Sequence, residues 1–291
     1  MNRKSTRRAP VVSGLFYPDE PGELDAVLSK YLGMIDKDSL IETVKLQTGI
    51  PDPESETPLG IIVPHAGFIF SGKVQAHAYK LIEGKNFNTA VVVGPAHQKN
   101  FNGLSVNLDD AYETPLGLIQ VNLETAHKLI SFNNSIKTIE EAHLQEHSIE
   151  VQLPYIQKVL PGISIVPVLL GTQHFTQAEI LADTLTALES NKKARNLVII
   201  TSDLSHYHPW SEAEVMDSLL MEDFRRMETD LLYKHIKNGD TEACGFSGIL
   251  ALMIYAKKHG KGKSAVLTYK NSGEISGDRR KVVGYMAGVV Y

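Results

Sequence analysis

Past residue 58 the chain alternates between two hydrophobic patterns. Short runs at 59–63 (LGIIV), 90–93 (AVVV), 163–169 (ISIVPVL) and 197–201 (LVIIT) are apolar at almost every position. Their length and β-branched content are those of strands buried on both faces. Between them, apolar residues recur every three to four positions and predict helices near 72–83 and 176–190, between 211 and 238, and at 245–258. Two further strands are expected near 264–269 and 282–290. Upstream, APVVSGLFYPDEPGELDAVLSKYLGMI offers a short strand, a turn and an amphipathic helix carrying Leu24, Val27, Leu28, Tyr31 and Leu32. The polar, proline-rich stretch 43–58 reads as a surface loop. With no internal repeat or linker to divide residues 1–291, the expectation is one α/β domain. Its mixed, mostly parallel sheet would be covered by helices on both faces.

Three of the apolar runs end in histidines. The run at 59–63 leads through Pro64 into His65, the run at 90–93 through Gly94 and Pro95 to His97, and the run at 197–201 into SDLSHYH with Asp203, His206 and His208. In open α/β sheets, ligands bind in the crevice beyond the carboxyl ends of the strands. A single histidine there is most often an ordinary turn residue, but three repeats of the pattern point to one rim. Glycine and proline beside His65 and His97 fix tight turns and let a ligand approach the backbone. Neutral imidazoles on a rigid rim suit a divalent metal.

Composition narrows the classes. Of 291 residues, 43% are hydrophobic and 22% charged, and the formal charge is −5. No basic footprint for nucleic acid is present, and the short cluster NRKSTRR reads as a frayed terminus. The longest apolar stretch, GILALMIYA, is far shorter than the roughly 20 residues of a bilayer crossing. No membrane association is therefore expected. Cys244 is the single cysteine, which suits a reducing compartment and a cytoplasmic protein.

Other residues carry possible chemistry. Asp203 could share a hydrogen bond with His206 and orient it as a general acid or base, although a helix N-cap is the plainer role for an aspartate there. Cys244 lies just before a helix, where the dipole could favour a thiolate that ligates metal or attacks a substrate; inert burial is the default for a free cysteine. His143, Glu146 and His147 match the H-x-x-E-H pattern of inverted zinc peptidases. A helix starting near Ser148 would break the required geometry, leaving Glu146 and His147 to line the same pocket. AYETPLGLIQVN reads as an extended segment and turn, and NSGEISGDRRKVVGYMA as a flexible loop entering a last strand. Neither a glycine-rich phosphate loop nor a nucleophile elbow is present.

Eight motifs in this order, APVVSGLFYP, PHAGFIFSG, GPAH, YETPLG, EHSIEVQLPYIQ, TSDLSHY, ACG and VVGYMA, together closely resemble the Memo family, called AmmeMemoRadiSam system protein B in prokaryotes. The resemblance runs almost end to end, with 43–58 the main stretch outside it. It implies a fold like that of class III extradiol dioxygenases, with His65, His97 and Cys244 at the metal-site positions and Asp203 and His206 lining the pocket. Those dioxygenases use a glutamate where this chain has Cys244. A thiolate is softer and shifts preference toward copper(I), zinc or a differently tuned iron. The family is further linked to iron and copper binding, redox activity, phosphopeptide recognition in animals and radical SAM proteins. The resulting expectation is one iron(II) or copper ion, with zinc possible, in an oxidoreductase-like cleft for a small molecule or peptide. Alternatives are a non-catalytic peptide- or protein-binding module using the same cleft, and a cysteine or zinc hydrolase.

Overall fold

The computed structural model describes residues 6–189, 195–260 and 262–291. The start of the basic cluster and the expected helix end at position 190 lie outside them. The chain opens with β1 (Arg7–Arg8), α1 (Pro21–Gly33), α2 (Lys37–Thr48), β2 (Gly60–Val63), α3 (Phe68–Ile82) and β3 (Thr89–Pro95). Next come β4 (Leu104–Val106), β5 (Ala111–Thr114), β6 (Gly117–Gln120), α4 (Leu123–Phe132), β7 (Ile136–Lys137), α5 (Glu140–Leu144) and α6 (Leu153–Val159). They are followed by β8 (Ser164–Leu170), α7 (Phe175–Leu188), β9 (Asn196–Thr201), β10 (His206–His208), α8 (Trp210–Arg225) and α9 (Thr229–Asn238). The chain ends with α10 (Phe246–Lys258), β11 (Ser264–Asn271), α11 (Gly273–Ser276) and β12 (Val282–Val290).

Four largely apolar strands form the centre of a mixed sheet, in the order β2-β9-β3-β8, each pair parallel. Antiparallel β12 closes one side and β4 the other. Strand geometry sends alternate residues to opposite faces, and the two hydrophobic cores follow that alternation. Ile61, Val92 and Ile199 pack into one core with α1, α2, α3 and α6; Ile62, Val91 and Ile200 pack into the other with α4, α7 and α10. This is the expected single α/β domain covered on both faces. A small second sheet, β1-β5-β6, places the YETPLG motif in a hairpin beside β1.

The stretch 43–58 is corrected in its first third. Residues 43–48 complete α2, which buries Leu40 and Val44 and stops at Gly49 in the left-handed conformation, so the loop begins there. Arg8 is not frayed either. It is 4% exposed, its guanidinium bonded to the Glu150 carboxylate and to the carbonyls of His143 and Glu146.

Candidate metal centre

Because β2, β9 and β3 are parallel neighbours, their carboxyl ends open on one rim. His65 follows β2 and His97 follows β3, with Thr201 and Asp203 between them at the end of β9. Cys244 reaches the rim from the turn before α10, its N–H donating to the Asp203 carbonyl at 3.2 Å. Ligand atoms of His65, His97 and Cys244 lie within 4.8 Å of one another. A second group shares His97 and adds Glu146 and His147. The rings of His65, His97 and His147 pack with centroids 4.8–5.6 Å apart.

Each imidazole is aimed by its other nitrogen. Nδ1 of His65 lies 2.7 Å from Thr201 Oγ1, which accepts from Gln152 Nε2 at 3.2 Å. Nδ1 of His97 lies 2.9 Å from Glu146 Oε1, and the His97 N–H donates to Glu146 Oε2 at 2.6 Å. Both rings therefore keep Nε2 available as a ligand atom, and the partners that hold Nδ1 fix the tautomer. Burial first, then the neighbouring His97 and His147, pushes His65 well below its ordinary range and keeps it neutral. Burial opposes ionisation of Glu146, but hydrogen bonds from and charge on His97, with the Ser148 N–H, outweigh it and hold its carboxyl at about 2. The turn carrying Glu146 sits close because Gly94 has no side chain; a Cβ there would strike Ser148.

Sulfur of Cys244 lies 3.3 Å from His65 Nε2. Two donors on one tetrahedral ion, at roughly 2.3 Å for sulfur and 2.0 Å for nitrogen, stand about 3.5 Å apart. Two imidazoles and a thiol at that spacing fit a borderline or soft cation. Without an ion, burial and the Asp203 carboxylate raise the Cys244 thiol far above its usual range. The expectation of a helix-stabilised thiolate is thus corrected: in the ion-free site burial and the Asp203 carboxylate favour the protonated thiol.

Three other sequence expectations meet a different geometry. Among the described residues no Asp203–His206 hydrogen bond forms. Asp203 instead accepts from the His65 N–H at 2.8 Å and feels His206 only through its charge, while the His206 N–H goes to Glu242. Second, the H-x-x-E-H geometry fails because His143 turns into the core, its Nε2 3.0 Å from Ser105 Oγ and its Nδ1 near the Tyr112 hydroxyl. His147 meanwhile faces His97, so His143 and His147 do not pair on one ion. Third, a cysteine hydrolase would need Cys244 paired with His206, whereas its sulfur pairs with His65. Sequence reading missed Thr201, Gln152, Phe16 beside His147 and Glu242. Thr201, Gln152 and Phe16 lie inside the motifs TSDLSHY, EHSIEVQLPYIQ and APVVSGLFYP, yet nothing there singles them out, because an ordinary hydroxyl, amide or phenyl acquires its role only from the fold.

Fold and site together define an α/β protein with a histidine–cysteine cluster at the carboxyl rim of its sheet. A family model described as Memo-like protein matches residues 8–289, and the chain belongs to the Memo family. Among its relatives, MEMO1 family proteins of Methanobrevibacter smithii, Desulfurococcus amylolyticus and Thermotoga petrophila are 37%, 38% and 34% identical. The alignments cover 97%, 97% and 98% of this chain and 99%, 98% and 100% of the relatives. The crystal structure of uncharacterized protein JW3007 from Escherichia coli K12 overlays with a TM-score of 0.49 at 12% identity, over 79% of this chain and 99% of that one. That likeness is too loose to bear on function.

Proposed function

We propose that this chain binds one transition-metal ion, iron(II) or copper, through His65 Nε2, His97 Nε2 and Cys244 Sγ, in a cleft with an oxidoreductase role. The single observation that carries this reading is the approach of those three side chains to within 4.8 Å, from positions 32 to 179 residues apart in sequence. A resident ion supplies redox or Lewis-acid chemistry. Thr201 and Glu146 hold the two imidazoles in the ligating tautomer, and Asp203 anchors the His65 main chain. His206, held at its N–H by Glu242 and half-buried at the rim, is the side chain suited to exchange protons with a substrate. A thiolate among the ligands favours copper(I) or a tuned iron over the all-oxygen preferences of magnesium or calcium.

Metal analysis of protein purified without chelators tests this reading. The expected result is near-stoichiometric iron or copper that falls several-fold in His65→Ala and in His97→Ala. Metal content unchanged in both variants contradicts it.

A second reading has its own observation. Leu15 (80% exposed) precedes Phe16, whose ring touches His147, and Ile69 (66% exposed) follows Phe68, whose N–H donates to the Phe16 carbonyl. An apolar lip on the cleft suits a peptide or small apolar ligand, and it predicts binding that survives the double histidine substitution.

A further inference from the structure

Away from the metal centre, a cavity of ≈ 370 Å³ opens between α1, α3, β11 and α11. Its volume falls within the roughly 300–1,000 Å³ of small-molecule sites. None of the metal-centre residues lines it. Tyr31, Ile35 and Val74 form an apolar floor, and Met34, Phe70 and Ile275 stand at its mouth, 54%, 37% and 44% exposed. Large apolar side chains left in water side by side mark an interaction site more often than chance exposure.

The polar part of the lining is one-sided. Lys270 is paired with Glu274 at 2.7 Å. His77 donates from Nδ1 to the Lys73 carbonyl at 2.8 Å, and burial together with the Lys270 charge keeps its ring neutral. Among the described residues Lys73 has no carboxylate partner, so the wall carries one net positive charge. At the inner end Asn271 is 1% exposed, with Oδ1 accepting the Gly273 N–H and its amide nitrogen turned to the Tyr269 hydroxyl, which itself donates to Asp217.

We propose that this cavity is a second ligand site, independent of the metal centre, for a small amphiphile with an apolar body and one anionic head. The body lies on Tyr31, Ile35 and Val74, and the head pairs with Lys73. Charge complementarity selects a monoanion, since a neutral molecule leaves Lys73 unmatched and a cation is repelled by it.

Titration calorimetry of the full chain with octanoate, 1-octanol and octylammonium tests the assignment. Octanoate is expected to bind saturably at one site and more tightly than the other two. Lys73→Glu, at an exposed helix position, reverses one charge and is expected to weaken octanoate about tenfold while leaving 1-octanol unchanged. Thr268→Trp fills the cavity and is expected to abolish binding. Metal content and thermal midpoint of both variants should match the parent, which separates this site from the metal centre and from misfolding. Absence of saturable octanoate binding overturns the proposal. So does equal binding of all three probes, or parent-like octanoate affinity in both variants.

Discussion

His143 is an imidazole of the H-x-x-E-H stretch that the fold buries away from the candidate metal centre, and its environment has a measurable consequence. Burial first, then the Arg8 guanidinium, drives it down to about 4, against an ordinary value of about 6.5. Between those two pH values the unfolded chain takes up a proton that the folded chain refuses. Stability is therefore lost as pH falls from about 6.5 to about 4, by about 3 kcal/mol from this residue. Denaturant titrations across that window should show a shallower fall for His143→Gln than for the parent; parallel curves would refute it. The residues that aim the ligands are equally open to test. Thr201→Val removes the partner of His65 Nδ1, and loss of such a partner typically costs 10–100-fold in metal affinity. A competition assay with a chromophoric chelator should read that drop with the fold intact. His65, His97 and Cys244 were visible in the sequence because each sits beside glycine or proline at a strand or helix end. Thr201 was not visible, because a threonine closing a strand looks the same whether or not a histidine leans on it.

At the scale of elements, the two-residue strand β1 does more than its length implies. It pairs with β5 and carries Arg8 into a buried ion pair with Glu150, whose carboxylate also accepts from Val11 N, Val12 N and the Tyr17 hydroxyl. Arg8 further holds the carbonyls of His143 and Glu146, so the turn that aims His97 is tied to the start of the chain. Arg8→Ala leaves Glu150 charged and buried, a loss expected at about 3–5 kcal/mol. The same variant should also bind metal less tightly, read by thermal melting and metal analysis together; a stable, metal-replete variant would contradict the coupling. The central strands were legible because burial on both faces leaves no polar residue to interrupt them. The end of α2 was not, because only Leu40 and Val44 are buried along it and the polar surface around them resembles a loop. Strands of two or three residues such as β4, β7 and β10 are too short for any periodicity to announce.

Across the whole molecule, two cores on opposite faces of one sheet fix the rim where strands β2, β9 and β3 end. The site inherits its rigidity from elements whose burial does not depend on the ion. Among the described residues no helix is long and apolar enough to cross a membrane. An ion that binds the folded chain alone should stabilise it by about 2.7 kcal/mol at a hundredfold excess over its Kd. That increment should vanish when His65 and His97 are both alanine. The most direct measurement is anomalous scattering from crystals of metal-loaded protein, collected on both sides of the iron and copper absorption edges. A single strong peak is expected, bonded to His65 Nε2, His97 Nε2 and Cys244 Sγ. A peak elsewhere, or none at either edge from fully loaded protein, would contradict it.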